Sequence, residues 1–416
     1  MVQRPDDHST NEAAADQEHN QLRRGWTTGS CATAASRAAF EALLTGHFPD
    51  PVTITLPNQS RVAFALCTEE LLPKAHRAEA SVIKDAGDDP DVTHLAKICA
   101  SVTFGLSGSG IRFVAGEGVG TVTKPGLPIP PGEPAVNPVP RQMIQNNVKE
   151  VLQTLQDENH PALDKLTFDA EGNPDIEVTL SIPGGEELAQ KTWNPRLGIL
   201  GGLSILGTTG VVIPFSCSSW IHSIHRGIDV ALANNRPHVA GCTGHASEKA
   251  VQKFYGLEDS DMLDMGDFAG GMLKYLRRHP VPRLTIGGGF GKLTKLAMGH
   301  MDLHSSRSQV DMGWLVDRVV ELLDENPELE APDDLPARIQ NANTANQVLG
   351  LCEALHIPLG ERVATLARDQ ALAVLNRDDE KADRSRQPET TVDVILITRA
   401  GEIVARSPEA SGSKQK

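Results

Sequence analysis

The sequence predicts an α/β protein, in which an α+β domain with a mostly antiparallel sheet is followed by an α/β domain with a parallel sheet. Short β-branched segments bounded by turn formers recur over the first half of the chain. From residue 196 onward, strand-like and helix-like segments alternate, as they do where crossover helices join parallel strands. The chain has 416 residues, more than one ordinary domain needs. We therefore expect domains over 22–195 and 196–416.

The first element is an alanine-rich helix. Residues 1–21 are polar, lack apolar periodicity and are expected to be disordered. The helix is predicted to begin near Ser30, with a hydroxyl cap from Thr27, Thr28 or Ser30 itself, and to end at Gly46. The stretch that opens it, WTTGSCATAA, has almost no side-chain bulk. Either another segment packs tightly on it, or a large ligand comes close to its backbone.

The remaining elements follow from the same patterns. In the first domain, strands are predicted at 51–57, 61–67, 79–87, 98–106, 110–126 and 175–185, and a helix at 141–155. In the second domain, strands are predicted at 197–202 (LGILGG), 238–243 and 282–289, with a strand-turn-strand at 391–407. The intervening helices are predicted at 218–235, 244–256, 267–279, 290–300, 311–324 and 343–375.

Glycine-rich segments stand where the predicted parallel strands end. They are GGLSILGTTG at 201–210, GCTGHAS at 241–247 and GGGFGKLTK at 287–295. Ligands bind beyond the carboxyl ends of such strands. The first segment suits the polar part of a nucleoside ligand, or is simply a turn with positive φ. The last lacks two residues of a phosphate loop, since Ile286 and Leu293 stand where glycine and Ser or Thr are needed. A carboxylate-binding nest with Lys292 and a tight turn with solvated lysines stay open as alternatives.

Charged and nucleophilic side chains offer further candidates. KDAGDDPDVTH at 84–94 has no calcium or zinc spacing, so most of its aspartates are interpreted as caps and Asx turns. Burial next to Lys84 would still make one carboxylate a proton acceptor. Arg141 stands at a helix start, where a cation is disfavoured, and this favours a ligand or ion-pair role. Cys31 and Cys242 lie at helix starts, where the dipole lowers a thiol pKa, but no catalytic triad pattern accompanies them.

Two other patterns are interpreted without a ligand. GEGVG at 116–120 ends a strand with alternate glycines, but TVTKPGLP follows where a cofactor fingerprint needs a helix, so a hairpin turn is predicted. His222 and His225 lie three apart on one helix face without a third ligand in view. We therefore predict no metal site.

Composition excludes several classes of protein. Lys plus Arg is 39 and Asp plus Glu is 54, a formal charge of −15, which disfavours non-specific binding to nucleic acid or to a membrane surface. An anionic ligand then needs a local basic pocket. Six cysteines without a Cys-x-x-Cys motif, and no signal peptide pattern, predict a reducing cytoplasm. The uncharged run over 197–221 contains five glycines and a proline, which favours a strand and loop over a membrane helix.

Seven motifs occur in order along the chain: WTTGSCATAA, KDAGDDPDVTH, GEGVGTVTKPGL, NPVPRQMI, NPRLGILGGLSILGTTGVV, GCTGHAS and GGGFGKLTKLAMG. Together they resemble the cobalt-precorrin-5B C(1)-methyltransferases of cobalamin biosynthesis, the CbiD type. The resemblance is dense from Leu22 to His304 and loose beyond. Two residues depart from the pattern: Trp26 stands where Tyr or Phe is expected, and Leu95 where glycine is expected.

The resemblance implies methyl transfer from S-adenosylmethionine to ring carbon 1 of a cobalt-containing corrin precursor, with cobalt-precorrin-6A and S-adenosylhomocysteine as products. Cobalt arrives within the substrate. Since the sulfonium donor is already activated, the main demand on the protein is to hold the reacting atoms in near-attack geometry. The expected partner is a small tetrapyrrole, with no nucleic acid or membrane; a homo-oligomer is left open.

We assign residues to three parts of such a site. Proton movement is assigned to Asp85, Asp88 and His94. Cofactor binding is assigned to Gly201, Gly202, Thr208, Thr209, Gly210, Gly288 and Gly289. Substrate binding through hydroxyls and positive charge is assigned to Thr27, Thr28, Ser30, Lys84, Arg141 and Lys292. Two rival functions are a corrinoid-binding protein without catalysis and a nucleotide-dependent enzyme that uses 287–295.

Overall fold

In the computed structural model, which describes residues 22–377 and 390–408, the chain divides into two units between Ser216 and Cys217. The sequence places this boundary earlier, after residue 195. Residues 196–216 pair with strands of the first unit, which is why the division falls later. The predicted disordered segment 1–21 lies outside the described residues.

The first unit contains eleven strands and three α-helices in its described part. In chain order they are β1 (Gly25–Trp26), α1 (Thr28–Thr45), β2 (Val52–Thr55), β3 (Arg61–Phe64), β4 (Thr68–Leu72), β5 (Arg77–Ile83), β6 (Lys97–Phe104), β7 (Ile111–Ala115), β8 (Thr121–Val122), α2 (Pro138–Asp157), β9 (Ile176–Ser181), α3 (Gly185–Ala189), β10 (Ile199–Leu200) and β11 (Val211–Val212).

The main sheet of this unit has the strand order β4-β5-β6-β9-β7. Its pairs are antiparallel except β7 with β9, so the predicted mostly antiparallel sheet is confirmed. α1 packs on β5 and β6. Its alanines and Phe40 are fully buried there, because small side chains let the helix approach the sheet closely.

The caps predicted for α1 are present. The Thr27 side chain accepts a hydrogen bond from the Ser30 N–H, and Gly46 ends the helix in the left-handed region at φ 84°. The helix begins at Thr28, slightly earlier than predicted.

The segment LGILGG does not belong to the parallel sheet, which corrects the prediction. It forms the two-residue strand β10, which pairs antiparallel with β8 in the first unit. A short apolar run is compatible with a parallel or an antiparallel sheet, so hydrophobic periodicity does not distinguish the two. Gly202 shows why the run is glycine-rich, since a Cβ there would lie 2.2 Å from the carbonyl oxygen of Gly118.

The second unit contains five strands and eight α-helices in its described part. They are α4 (Cys217–Ala233), β12 (His238–Cys242), α5 (His245–Tyr255), β13 (Met262–Leu263), α6 (Ala269–Leu276), β14 (Arg283–Gly288), α7 (Phe290–Ala297), α8 (Met312–Glu325), α9 (Leu335–Gln340), α10 (Ala345–Ala354), α11 (Leu359–Leu375), β15 (Thr391–Ile397) and β16 (Ile403–Arg406).

Its sheet has the order β13-β12-β14-β15-β16, and the first four strands are parallel. The predicted parallel sheet is confirmed, as is the final strand-turn-strand, in which β16 pairs antiparallel with β15. The helix predicted over 343–375 is two helices, α10 and α11. They are separated at residues 355–358, where His356 has a φ of 54° and Pro358 cannot continue a helix. Among the described residues, no helix is both long and apolar enough to cross a membrane.

Candidate functional site

The amino end of α1 lies against segment 204–210. The Thr28 hydroxyl donates to the Leu206 carbonyl oxygen at 3.0 Å and accepts from the Leu206 N–H at 3.1 Å. The Ser30 hydroxyl donates to the Gly210 carbonyl oxygen at 2.6 Å. A Cβ on Gly207 would lie 2.3 Å from the Thr27 hydroxyl oxygen. The small residues of this stretch are therefore explained by tight packing, the first of the two alternatives.

This packing bears on several predicted site residues. Thr27, Thr28 and Ser30 are buried, and their hydroxyls are already engaged within the protein. Gly210 belongs to the segment packed on these hydroxyls, whereas Thr208 and Thr209 are exposed and the Thr209 hydroxyl bonds the backbone of Val211. The structure thus gives Thr27, Thr28, Ser30 and Gly210 a direct structural role, and it does not present the three buried hydroxyls to a ligand.

The thiols of Cys31 and Cys242 are buried, and burial raises the pKa of each to about 12. This corrects the expectation that a helix start lowers their pKa. Cys31 lies in the first turn of α1, where desolvation of the thiolate outweighs the helix dipole, whereas Cys242 is the last residue of β12 and does not lie at a helix start. Neither thiol is a nucleophile at neutral pH in this environment.

Two backbone segments cross directly before α1. The Trp26 N–H donates to the Asp85 carbonyl oxygen at 2.7 Å, and the Asp88 N–H donates to the Arg23 carbonyl oxygen at 2.9 Å. Gly25 is required at the crossing, since a Cβ there would lie 2.0 Å from a backbone carbon of residue 86. The crossing brings Arg23 onto the loop of residues 84–94, which we call the aspartate loop.

Asp85 and Asp88 anchor this crossing. The Arg23 guanidinium binds both carboxylate oxygens of Asp85, one of them at 2.9 Å, and the Arg23 N–H donates to Asp88 at 2.6 Å. The hydrogen bonds from Arg23, followed by one from the Gly87 N–H, lower the pKa of Asp85 to about 2. A carboxylate held ionised in this way is a weak proton acceptor at neutral pH.

Lys84 is almost fully buried, and its ammonium forms an ion pair with Asp91. The other oxygen of Asp91 accepts hydrogen bonds from the Thr93 N–H and hydroxyl at 2.7 and 2.6 Å. Burial raises the pKa of Asp91, but Lys84 and these hydrogen bonds outweigh it and lower that pKa overall. The ammonium of Lys84 therefore holds the aspartate loop in place through Asp91, and its contact with a substrate stays a prediction.

His94 is exposed at the end of the aspartate loop. Its Nδ1 accepts a hydrogen bond from the Ala86 N–H at 3.1 Å, so the proton of the neutral ring lies on Nε2. In this tautomer Nε2 of His94 is a hydrogen-bond donor. Leu95 follows with a φ of 63°, in the left-handed region that suits the glycine expected there.

Arg141 borders a groove of about 450 Å³ in the first unit, which we call the Arg141 groove; β7, Thr121, residues 132–134 and Arg141 line it. The guanidinium donates to the carbonyl oxygens of Val136 and Pro134, at 2.9 and 3.2 Å, and to the Glu133 carboxylate at 3.2 Å. It also lies 5.3 Å from the centre of the Phe113 ring. The predicted ion-pair role of Arg141 is thus observed, and the groove lies beside it.

In the second unit, the carboxyl ends of β12 and β14 lie side by side. The two strands are paired from His238 with Arg283 to Cys242 with Gly287, and the Thr243 N–H continues the pairing to the Gly287 carbonyl oxygen at 2.9 Å. The crossover after β12 leads to β13 on one side, whereas the connection after β14 leads to β15 on the other side, so the two connections run in opposite directions. Ligands of open parallel sheets bind at such a point. We call residues 243–245 and 288–291 the β12–β14 crevice.

The crevice brings together two of the three predicted glycine segments. Gly244 caps α5 and Gly289 caps α7, and a Cβ on Gly244 would meet no atom within 4 Å. Gly288 is more enclosed, with the Thr243 side chain 2.9 Å from its Cβ position. The crevice is therefore open at Gly244 and Gly289, and segment 201–210 belongs to the first unit instead.

Lys292 spans the crevice at its base. Its ammonium donates to the Thr243 carbonyl oxygen at 3.0 Å and lies 2.8 Å from Oδ1 of Asp267. The positive charge predicted for a substrate carboxylate is thus paired within the protein. Lys292 positions the turn after β12 relative to α7.

Sequence reasoning missed two charged residues near these features. Arg112 lines the Arg141 groove, and Asp267 follows β13, whose two residues are too short a run to predict as a strand.

His225 stacks on Tyr275 at 4.0 Å between ring centres, which explains its place on α4. Within 22–377 and 390–408, no group of three or more His, Cys, Asp and Glu side chains is arranged to hold a metal ion.

Two family models match this chain, and both describe the same family. The model of the CbiD family matches residues 15–214, and that of the CbiD C-terminal domain matches residues 302–408. The first match ends close to the end of the first unit at Ser216.

Curated relatives align over nearly the whole chain. A cobalt-precorrin-5B C(1)-methyltransferase of Bradyrhizobium sp. is 52% identical over 94% of this chain and 95% of its own. One from Paramagnetospirillum magneticum is 52% identical over 92% and 97%, and one from Brucella canis is 53% identical over 95% and 99%. A crystal structure of the cobalamin biosynthesis protein cbiD from Archaeoglobus fulgidus is 26% identical, covers 74% of this chain and 94% of that chain, and has a TM-score of 0.34. The chain therefore belongs to the CbiD family.

Proposed function

We propose that this chain transfers a methyl group from S-adenosylmethionine to ring carbon 1 of cobalt-precorrin-5B. Its relatives of about 52% identity, aligned over almost their full length, are named cobalt-precorrin-5B C(1)-methyltransferases, and S-adenosylmethionine as the methyl donor is part of the proposal. The donor is a sulfonium, and cobalt belongs to the substrate. The reaction thus requires no protein nucleophile, in agreement with the buried, high-pKa thiols of Cys31 and Cys242.

The β12–β14 crevice is the donor site in this proposal. The main support for this site is the switch in strand order between β12 and β14. Two helices begin there, at Gly244 and Gly289, whose Cβ positions are open. N–H groups at helix starts favour a carboxylate, and the methionine part of the donor carries one. Gly288 and Gly289 keep their predicted cofactor role. Gly244, which we did not predict, replaces Gly201, Gly202, Thr208, Thr209 and Gly210.

The Arg141 groove is the proposed contact for acidic side chains of the tetrapyrrole. Arg141 already shares its charge with Glu133. The Arg112 backbone belongs to the ladder between β7 and β9, but no side-chain hydrogen bond or ion pair engages its guanidinium in the described part of the chain, so the guanidinium is available to an incoming carboxylate. The adjacent Phe113 and Ile111 offer apolar contact for a ring edge.

Catalysis then depends on orientation. Holding ring carbon 1 in line with the methyl group supplies roughly 7–11 kcal/mol of the barrier when the geometry is near attack. Among the predicted proton-handling residues, His94 is exposed and carries the proton of its neutral ring on Nε2, whereas Asp85 and Asp88 hold Arg23. We assign His94 the role of a hydrogen-bond donor to the substrate. A reducing cytoplasm stays our prediction for the compartment.

Calorimetric titration with S-adenosylhomocysteine tests the donor site. Gly244→Val and Gly289→Val place methyl groups in the crevice, and the Cβ positions of both glycines have no protein atom closer than 3.9 Å. We expect each variant to keep the wild-type melting temperature and to bind S-adenosylhomocysteine at least about tenfold more weakly. Gly350→Val is the matched control, since its Cβ position on α10 is equally open. Unchanged affinity in both crevice variants would contradict the assignment.

Substitutions of Gly202 or Gly210 in segment 201–210 are a weaker test of where the donor binds. A Cβ on Gly202 or Gly210 would lie within 2.8 Å of other protein atoms, so lost binding would not be separable from damaged packing.

A further inference from the structure

The loop after β13 places a carboxylate beside the β12–β14 crevice. We infer that Asp267 accepts hydrogen bonds from the ribose hydroxyls of the adenosyl group. This inference rests on the proposed donor site and adds the residue that selects a ribonucleoside there. Three observations support it: the strand order, the surroundings of the Asp267 carboxylate and the geometry of the loop after β13.

Strand order places Asp267 where a ribose is recognised in comparable sheets. β12, α5 and β13 form a parallel crossover unit, and the Gly266 N–H donates to the Cys242 carbonyl oxygen at 3.0 Å. The loop after β13 is thus joined to the carboxyl end of β12. In sheets that bind adenine dinucleotides, an acidic residue in the equivalent place, about 20 residues beyond the glycine turn, bonds the ribose.

The Asp267 carboxylate has unused acceptor capacity. Its Oδ1 is buried, and although the Lys292 ammonium lies 2.8 Å away, no described donor is aligned for a hydrogen bond to this oxygen. About one fifth of the side chain is exposed, and that exposure is not at Oδ1. An ionised carboxylate offers about four lone-pair sites, two on each oxygen, so in this proposal both hydroxyls of the ribose bond Oδ2, and Lys292 stays beside Oδ1.

The loop itself is held in place. The Asp267 carbonyl oxygen accepts the Leu303 N–H at 2.9 Å, and Gly266 takes a φ of 54°. The Trp220 indole N–H donates to the Asp264 carbonyl oxygen at 2.8 Å, and its half-exposed ring lies 3.5 Å from the Cβ position of Gly266. A fixed carboxylate beside a fixed aromatic ring is suited to a nucleoside.

The alternative is that Asp267 only neutralises Lys292. The two roles of Asp267 predict different ligand preferences. If Asp267 bonds the ribose, its loss removes the preference for a ribose that carries hydroxyls. If it only neutralises Lys292, its loss weakens all adenosyl ligands equally, and loss of Lys292 has the same effect.

The test is competition of adenosine and 2′,3′-dideoxyadenosine against S-adenosylhomocysteine. We expect the wild-type chain to prefer adenosine by at least about tenfold, since two hydrogen bonds to a charged acceptor are at stake. Asp267→Asn should reduce this preference to less than about threefold, and Lys292→Met should retain it. Asp317→Asn, an exposed position on α8, is the control.

The outcomes separate the two proposals. If wild-type chain does not bind S-adenosylhomocysteine, the proposed donor site fails. If it binds, but Asp267→Asn keeps the full preference for adenosine, only the ribose inference is overturned. Should the Asn variant not fold, Asp267→Glu serves the same comparison, because it keeps the charge and displaces the carboxylate by one methylene; an unchanged preference there also overturns the inference.

Discussion

The Ser30 hydroxyl donates a 2.6 Å hydrogen bond to the carbonyl oxygen of Gly210, a residue 180 positions further along the chain. The same carbonyl oxygen accepts the Thr27 N–H at 3.1 Å. This pair of bonds joins the amino end of α1 to segment 204–210 and explains why both are built from small residues. It also removes the Ser30 hydroxyl from the set of groups that can meet a ligand.

Ser30→Ala should destabilise the fold by about 1 kcal/mol, because the buried Gly210 carbonyl loses one of its two donors. Ser36→Ala is a matched control in the same helix. Its hydroxyl is also buried but has no hydrogen-bond partner among the described residues, so its removal should be neutral or slightly stabilising. Urea denaturation measures both. Equal effects of the two substitutions would count against the role of the Ser30 bond.

The link between Arg23 and Asp85 predicts a pH dependence. Its hydrogen bonds lower the pKa of Asp85 from 3.8 to about 2. A carboxylate with a lowered native pKa contributes stability above the unfolded pKa, and this contribution is lost as the pH falls from about 4 towards 2. Arg23→Gln should return the Asp85 pKa towards 3.8, as measured by NMR titration of the carboxyl carbon. A value that stays near 2 would show that Arg23 is not the cause.

Leu95 offers a test of backbone strain in the aspartate loop. It is 66% exposed and has a φ of 63°, so it gains little burial while it occupies a region that glycine favours. Leu95→Gly should stabilise the protein by up to about 1 kcal/mol, the net of relieved strain and lost chain rigidity. Leu106→Gly, at another exposed leucine but without positive φ, should be neutral or destabilising. Thermal denaturation that reverses this order would argue against strain at Leu95.

Arg112 provides the cleanest test of the Arg141 groove. Arg112→Ala should weaken binding of a cobalt corrinoid with free acetate and propionate groups by about tenfold, and leave binding of its methyl ester unchanged. Arg61→Ala on β3 is the control, as another exposed strand arginine without a described partner. Spectroscopic titration of the corrinoid gives both affinities. Equal losses for acid and ester would exclude a carboxylate contact.

Local signals allowed much of this fold to be predicted. α1 carries its own cap at Thr27 and its own stop at Gly46, and the parallel sheet is marked by apolar strands that lead into glycine turns. Predictions failed where tertiary context decides. LGILGG is a short apolar run that fits either kind of sheet, and β13 is only two residues long.

The candidate site was harder to predict, for a related reason. Lys84, Arg141 and Lys292 are charged residues at suggestive positions, but each has a protein carboxylate as its partner, and sequence does not show such pairs. Arg112 and Asp267 stand in no motif. They become candidates only when strand order brings them to a groove or crevice.

The most direct measurement is a crystal structure of the chain with S-adenosylhomocysteine bound. Our account predicts that the ligand lies in the β12–β14 crevice, with its carboxylate near Gly244 and its ribose on Asp267. Density for the ligand on segment 201–210, with the crevice empty, would contradict the central claim.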